Sequence, residues 1–181
     1  MRAVMDMDEI KRIIKATKSF VFKGDERPAL KYVRLDFNKD TNKVKATALD
    51  GIMMSIEYGQ IFQIDESFAA YIKPQLPIKA KGDYVEIAVN EGFCYITVGD
   101  NSFGYRQPEI KWLDTDKIIN DLEAKEISAN ILVNNERLAA ALKSIDSGKI
   151  PVKIEYRGLN TGLILRYENS VRMFQVCRQT E

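Results

Sequence analysis

Residues 6–22 read DMDEIKRIIKATKSFVF. Their apolar and polar residues recur with the spacing of an α-helix. Asp6, with Glu9 three residues later, resembles a capping box, and acidic residues at this end suit the helix dipole. The side chains expected to face a core fall on one arc: Met7, Ile10, Ile13, Ile14, Thr17 and Val21. A neighbouring arc is basic, because spacings of three and four residues bring together Lys11, Arg12, Lys15 and Lys18. The stretch predicts an amphipathic helix with one buried and one cationic side.

The segments around this helix favour β-strands. Residues 1–5 favour a short strand before it. After it, KYVRLDF (31–37) and KVKATAL (43–49) flank the turn-rich NKDTN and predict a hairpin. GIMMSIEY (51–58) and QIFQI (60–64) favour further strands. Residues 1–62 therefore form a first half-unit, in the order strand, helix, strands.

The same order recurs in residues 126–181, the second half-unit. ISANILV (127–133) predicts a strand, and NNERLAAALKSID (134–146) predicts a helix with Asn134 as its N-cap. The expected buried stripe of this helix is Leu138, Ala141, Leu142 and Ile145. Three strands follow, within PVKIEYR (151–157), LILRYE (163–168) and SVRMFQVCR (170–178). The repeat is one of architecture, since few residues are identical between the copies.

Residues 63–125 form a β-rich insert and connector between the half-units. FAAYIK (68–73) favours a strand, and residues 84–106 form a meander that turns at NEG (90–92). The following connector predicts one helical turn around Lys117 to Leu122. The whole pattern predicts an α+β fold with antiparallel sheets.

Composition narrows the function classes. The chain has 181 residues, 45% of them hydrophobic, and no apolar run approaches the ~20 residues of a membrane helix. Its start lacks a signal-peptide core, so a cytoplasmic protein without membrane contact is expected. There is no histidine, which removes the usual general base and zinc ligand, and no cofactor is expected. Since the net charge is only +1, binding to nucleic acid would require local segregation of charge.

Other polar motifs have ordinary explanations. The acids Asp114, Asp116, Asp121 and Glu123 could suggest a two-metal site, but they lie in a polar connector and favour a solvated loop. KAKG (79–82) is too short for a phosphate-binding loop and is interpreted as a turn. Cys94 and Cys177 lie in strand-like stretches and are expected to be buried thiols.

Four stretches carry a resemblance to a known family. IKRIIKATKSFVFKGDERPALKYVRLDF (10–37), ATALDGIMMSIE (46–57), VGDNSFGYRQPEIKW (98–112) and residues 131–178 resemble parts of the bacterial sliding clamp, the beta subunit of DNA polymerase III. The resemblance implies a DNA-clamp-like fold, here a single clamp-like domain over residues 1–181 built from two strand-helix-multistrand units. A bacterial clamp subunit has three domains, so this chain resembles a reduced form. A clamp would have a helix after AAYIKP (69–74), but the proline-containing QLPIKAKG (75–82) does not favour one.

The resemblance implies a set of DNA-contacting residues, because the helices of a clamp line its central hole and touch phosphates without reading bases. On the first helix and just beyond it these are Lys11, Arg12, Lys15, Lys18, Lys23 and Arg27, and on the second helix Arg137 and Lys143. Pro28 is expected to fix the backbone so that Arg27 is held in place. The alternative is that the basic stripe is a solvated helix face.

The resemblance also implies a groove for partner peptides. Its wall would comprise Leu30, Gly51, Ile52, Met53, Met54, Pro74, Met173 and Gln175. Adjacent methionines suit an adaptable groove, since methionine repacks easily. The alternative is ordinary core packing between strands.

The function expected from the resemblance is that of a non-enzymatic processivity factor for DNA replication. It would bind duplex DNA non-specifically and DNA polymerase or other replication proteins through the peptide groove. Copies could close into a ring through edge strands, either the last strand of the insert or the C-terminal strand. The alternative is a monomeric protein-interaction module or decoy that does not encircle DNA.

Overall fold

The computed structural model describes residues 1–74, 82–125, 133–145, 151–156 and 162–175. Its α-helices are α1 (Met7–Thr17), α2 (Thr115–Glu123) and α3 (Asn135–Lys143), with short 3-10 helices at Lys18–Phe20 and Pro28–Lys31. The strands are β1 (Arg2–Asp6), β2 (Val33–Asn38), β3 (Lys43–Leu49), β4 (Met53–Gln60), β5 (Gln63–Ile64), β6 (Phe68–Ile72), β7 (Tyr84–Asn90), β8 (Phe93–Val98), β9 (Asn101–Arg106), β10 (Lys153–Tyr156), β11 (Gly162–Tyr167) and β12 (Ser170–Gln175).

The strands of the described residues form two antiparallel sheets, so the predicted α+β class is confirmed. One sheet has five strands in the order β5-β1-β7-β8-β9, and the other has seven in the order β10-β11-β12-β4-β3-β2-β6. The β12–β4 pair joins strands from the two half-units, with Met173 opposite Met54 and Val171 opposite Ile56. The division of the chain at residues 62 and 126 stays a prediction.

Helix α1 forms as its sequence predicts. The Asp6 carboxylate accepts hydrogen bonds from the backbone N–H groups of Asp8 (2.8 Å) and Glu9 (3.2 Å), which caps the helix. The second half of the expected capping box is wrong, because the Glu9 carboxylate accepts instead from the Arg12 side chain and from the backbone N–H of Gln60. The buried side is the predicted one and packs on β4.

Successive side chains of β3 and β4 point to opposite faces of the seven-stranded sheet, and both faces are covered. Val44, Ala46 and Ala48 point into the main core, on the inner face where α1 packs. The intervening positions point to the outer face, where Leu30, Leu49, Met54 and Ile56 form a smaller cluster. The connector covers this outer cluster with Trp112, Ile118 and Ile119. Its helix α2 is longer than the single predicted turn because Asp114 caps it, accepting from the Lys117 N–H at 2.9 Å.

The meander of the insert has the turn that its sequence predicts. Glu91 (φ 49°) and Gly92 (φ 77°) both have left-handed backbones between β7 and β8. Two such residues make the turn type whose twist suits a two-residue hairpin. Cys94, on β8, is fully buried as expected, whereas Cys177 lies outside the described residues.

Several details differ from the sequence-based expectations. The chain from Pro28 to Lys31 is a 3-10 helix, and β2 begins only at Val33, because proline at the first helical position presets the backbone for a turn. Leu142 is 37% exposed and so does not belong to the buried stripe of α3. Among the described strands, β12 at the C-terminal side lies inside its sheet, and β10 is the edge there. The last strand of the insert, β9, is an edge as expected. The strand predicted over 127–133 lies almost wholly outside the described residues.

Candidate nucleic-acid interface

A groove of about 390 Å³ separates α1 from the end of α3. Lys11 and Lys15 line it from α1, and Lys143 lines it from α3. The β11–β12 turn closes one side with Glu168 and Asn169. The structure thus brings together four of the predicted DNA-contacting side chains, Lys11, Arg12, Lys15 and Lys143, from helices more than 120 positions apart in the sequence numbering.

Arg12 is part of the floor of this groove. Its guanidinium donates to Glu9 Oε2 (2.9 Å), to Glu57 Oε2 (2.5 Å) and to the carbonyl oxygen of Tyr58 (2.6 Å). The hydrogen bond to Glu9 is the largest cause that raises the pKa of Arg12. Because its charge is compensated by two carboxylates, Arg12 contributes little free positive charge to the groove.

A buried ion pair lies beneath Arg12. Glu57 Oε1 and Arg172 Nη2 are 2.5 Å apart, and neither side chain is exposed. Glu57 also accepts from the Ser170 hydroxyl (2.7 Å), and Arg172 Nε donates to the Ser144 hydroxyl at the end of α3 (2.8 Å). Burial lowers the pKa of Arg172, and the charge of Glu57 opposes that shift. This network links α1, β4, β12 and the end of α3 beneath the groove.

The remaining predicted basic residues differ in position. Lys15, Lys18, Lys23 and Lys143 are exposed and make no ion pair within the described part of the chain. Lys11 is 3.3 Å from Asp8, whose side chain is 92% exposed, so this pair is weak. Arg137 is half-buried on α3.

Arg27 stacks over the ring of Phe22 (5.6 Å), and its Nη1 occupies the space that a side chain at Gly51 would need. Arg27 therefore lies beside the proposed peptide groove.

The proposed groove residues lie largely on the outer face of the seven-stranded sheet. Leu30 and Met54 are buried in the outer cluster, and Met173 packs against it. Met53 is half-buried and packs against the main core on the inner face, so it does not belong to the groove wall, whereas Ile52 is 37% exposed. Gly51 has a left-handed backbone (φ 95°), which a side chain would strain. Gln175 ends β12, whereas Pro74 follows β6, which β2 and β3 separate from β4.

Sequence reasoning missed three residues of this surface: Trp112, Ile118 and Ile119 pack over the same cluster. The signal available was a set of apolar residues in an otherwise polar connector, with Leu122 at helical spacing from Ile118 and Ile119.

The acids of the connector have structural partners. Asp114 caps α2, and Asp116 pairs with Lys45. Among the described residues no group of three or more His, Cys, Asp or Glu side chains is arranged to hold a metal ion. The helices in the described ranges include none with the length and apolar character needed to span a membrane.

Comparison with solved structures identifies the class of fold. The chain has the fold of bacterial sliding clamps, the beta subunits of DNA polymerase III. The DNA polymerase sliding clamp of Bacillus subtilis superimposes with a TM-score of 0.81 at 14% identity, covering 99% of this chain and 65% of that one. The DNA polymerase III beta subunit of Thermotoga maritima superimposes with a TM-score of 0.83 at 10% identity, covering 99% of this chain and 66% of that one. A putative DNA polymerase III beta subunit from Eubacterium rectale superimposes with a TM-score of 0.82 at 11% identity, covering 99% of this chain and 66% of that one.

The predicted resemblance is thereby confirmed in the fold. The chain spans about two thirds of the length of these clamps. No family model matches the chain, and no curated protein matches it in sequence.

Proposed function

We propose that the protein is a sliding-clamp-like processivity factor that binds duplex DNA non-specifically along the groove between α1 and α3. The observation that carries the proposal is the convergence of Lys11, Lys15 and Lys143 on one groove. Long cations at the rim suit phosphate contacts, which need charge and reach but no base recognition. Lys18 and Lys23 extend this surface beyond the end of α1. The role is one of binding and is not enzymatic.

The test is binding to fluorescein-labelled duplex DNA, measured by anisotropy at several salt concentrations. The double variant Lys15→Glu/Lys143→Glu should lose at least tenfold in affinity, and the slope of log K against log[salt] should become shallower by roughly 0.9 for each lost phosphate contact. The matched control is Lys111→Glu/Lys117→Glu, which changes two exposed lysines on the connector. Equal affinity of the two double variants would show that the groove does not bind DNA.

The proposal includes a ring of several copies joined through edge strands. Strand β9 supports it, because it is an exposed edge and Phe103 on it is 40% exposed. Light scattering during gel filtration tests this part. A single species at the 20.7 kDa of one chain, at every concentration, would exclude encirclement and favour the monomeric interaction module.

Replication proteins are the proposed partners of the outer face. Met54 and Met173, which lie opposite each other in the β4–β12 pair and pack on the outer cluster, support an adaptable apolar groove together with the exposed Ile52. Binding to an array of peptides from DNA polymerase subunits tests the proposal. Ile52→Asp should abolish it, whereas Phe62→Asp, at an exposed aromatic residue beside the five-stranded sheet, should not. Equal signals from both variants would place the binding elsewhere.

A further inference from the structure

Helix α2 lies across the outer face of the seven-stranded sheet and is held there at both ends by ion pairs. Near its start Asp116 pairs with Lys45 on β3, and at its end Glu123 pairs with Arg166 on β11. Since the strand order is β11-β12-β4-β3, the helix crosses β12 and β4 between these two anchors. These are the strands that carry Met173 and Met54 of the proposed peptide groove.

The apolar side of α2 packs on the floor of that groove. Ile118 and Ile119 lie against the cluster of Leu30, Leu49, Met54 and Ile56. Further along the helix, Leu122 reaches the β11–β12 pair: a Cβ built on Gly162 would be 3.3 Å from Leu122 Cδ1 and 3.1 Å from Met173 Sδ. One end of the groove is therefore already occupied by a segment of the same chain.

The attachment of α2 is weak for a helix that covers a sheet. Only Thr115 of its nine residues is buried, and Ile118, Ile119 and Leu122 are each half-buried. The anchoring pairs are partly exposed, with 73% exposure at Asp116 and 35% at Glu123, so solvent and salt screen them. A nine-residue helix has little stability of its own once it leaves the sheet.

Within the described part of the chain, two polar groups near this contact have no hydrogen-bond partner. The Thr47 hydroxyl is on a fully buried side chain of β3, between Lys45 and Leu49, and points to the same outer face. The indole N–H of Trp112 is also buried and has no partner among the described residues. Buried polar groups are normally satisfied, so this face retains hydrogen-bonding capacity that α2 does not use.

We infer that α2 is an autoinhibitory strap, which keeps the outer face closed until it is displaced by a partner segment of similar chemistry. Such a partner segment would be short and would have two or three apolar residues between two acidic residues. Its acids would pair with Lys45 and Arg166 in place of Asp116 and Glu123. The inference deepens the proposed function and rests on it for the identity of the site. The closed state itself can be tested without any partner.

The experiment uses the full chain and a fluorescein-labelled peptide with the sequence of residues 112–124, WLDTDKIINDLEA. Asp116→Lys turns one anchor into a repulsion with Lys45 and should release α2. This variant should bind the peptide at least fivefold more tightly than the wild-type protein. The charge swap Lys45→Asp/Asp116→Lys restores the anchor and should return affinity to the wild-type value. Asp121→Lys, the same change at an exposed position of α2, should behave as the wild type. Equal binding to the wild type and Asp116→Lys, or no binding to either, overturns the inference.

A second measurement guards against a variant that fails to fold. Trp112 is the sole tryptophan of the chain, so its emission reports on the outer face. In Asp116→Lys the emission should shift to the red, with recovery in the charge swap. In the wild-type protein, hydrogen exchange of the α2 amides should be much faster than that of β3 and β4. If the amides of α2 exchange as slowly as those of β3 and β4, then α2 leaves the sheet only when the whole chain unfolds, and it is not a displaceable strap. Either result leaves the DNA-binding proposal untouched.

Discussion

Glu57 on β4 and Arg172 on β12 form an ion pair with no exposure to solvent, at the seam where the two halves of the seven-stranded sheet meet. Each partner has further hydrogen bonds, Glu57 from Arg12 and Ser170, and Arg172 to Ser144. Arg172 also lies over the ring of Phe20, 5.6 Å from its centre. A buried pair with this many supporting contacts fixes one arrangement of the helices on the inner face.

Removing one member of this pair should be strongly destabilising. Arg172→Met leaves the Glu57 carboxylate buried beside Arg12 alone, and loss of one partner of a buried pair costs about 3–5 kcal/mol. Urea denaturation measures the free energy of unfolding. Arg106→Met, at the exposed pair with Glu109, is the control and should change it by less than about 0.5 kcal/mol. Similar losses in both variants would mean that the buried network is not the joint between the halves.

The close approach of α1 to β4 depends on Gly59. A Cβ at this position would lie 2.7 Å from Ile13 Cδ1 and 2.9 Å from Glu9 Oε1, so Gly59→Ala should displace the helix and cost about 1–3 kcal/mol. Gly104→Ala on β9 is the matched control. Its Cβ would meet Tyr95 at 2.8 Å, but that ring is 40% exposed and can move aside. Thermal melts of both variants should show the larger fall in Tm for Gly59→Ala. The opposite order would contradict a tight α1–β4 contact.

Stability should fall at alkaline pH because of a buried thiol. Burial raises the pKa of Cys94 to about 11, whereas an exposed thiol titrates near about 8.5. Between these values the folded chain keeps a proton that the unfolded chain has lost. The free energy of unfolding therefore falls by about 1.4 kcal/mol for each pH unit. Burial also raises the pKa of Tyr105, which acts in the same direction above about pH 10.

The test is urea denaturation of the wild type and Cys94→Ala between pH 8 and 10. The variant should be less stable at pH 8 but should lose less stability over this range. Parallel profiles would show that Cys94 does not carry the alkaline dependence.

Trp112 should be a major stabilising contact of the outer face. It packs on the outer cluster and lies 5.7 Å from the Tyr71 ring, so Trp112→Ala should cost about 3 kcal/mol and loosen α2. Trp112→Phe keeps most of the apolar area and removes an N–H that has no partner in the described ranges, so it should be nearly neutral. Hydrogen exchange of the α2 amides measures the loosening. Equal exchange in the two variants would indicate that ring packing does not hold α2.

Local rules predicted α1 and the hairpins well. The α1 stripe, the Asp6 and Asn134 caps and the turn at Glu91 all follow from residues within a few positions of one another. The partner of Arg12 could not be found in this way, because Glu57 lies 45 positions away and becomes a neighbour only when α1 packs on β4. A helical arc shows which cations share a side, but it does not show which of them meet a carboxylate.

The candidate site was predicted only in part for the same reason. The convergence of Lys143 with Lys11 and Lys15 depends on the β4–β12 pairing, for which the sequence carries no local signal. The resemblance to clamps supplied that relationship. It could not supply the position of α2 on the outer face. The spacing of Ile118, Ile119 and Leu122 indicates an apolar side, but Lys45 and Arg166, which anchor the helix, are distant in the sequence.

The β4–β12 seam also determines the order in which the chain can fold. Arg172 and Ile56, which share a hydrogen bond across it, are 116 positions apart, so the ribosome makes β4 long before β12 exists. During that interval the nascent chain has an open strand edge, and Glu57 lacks one of its two arginine partners; an open edge invites wrong pairing. Such distant pairing makes folding slow, so we expect maturation of this sheet to follow synthesis and to benefit from chaperones.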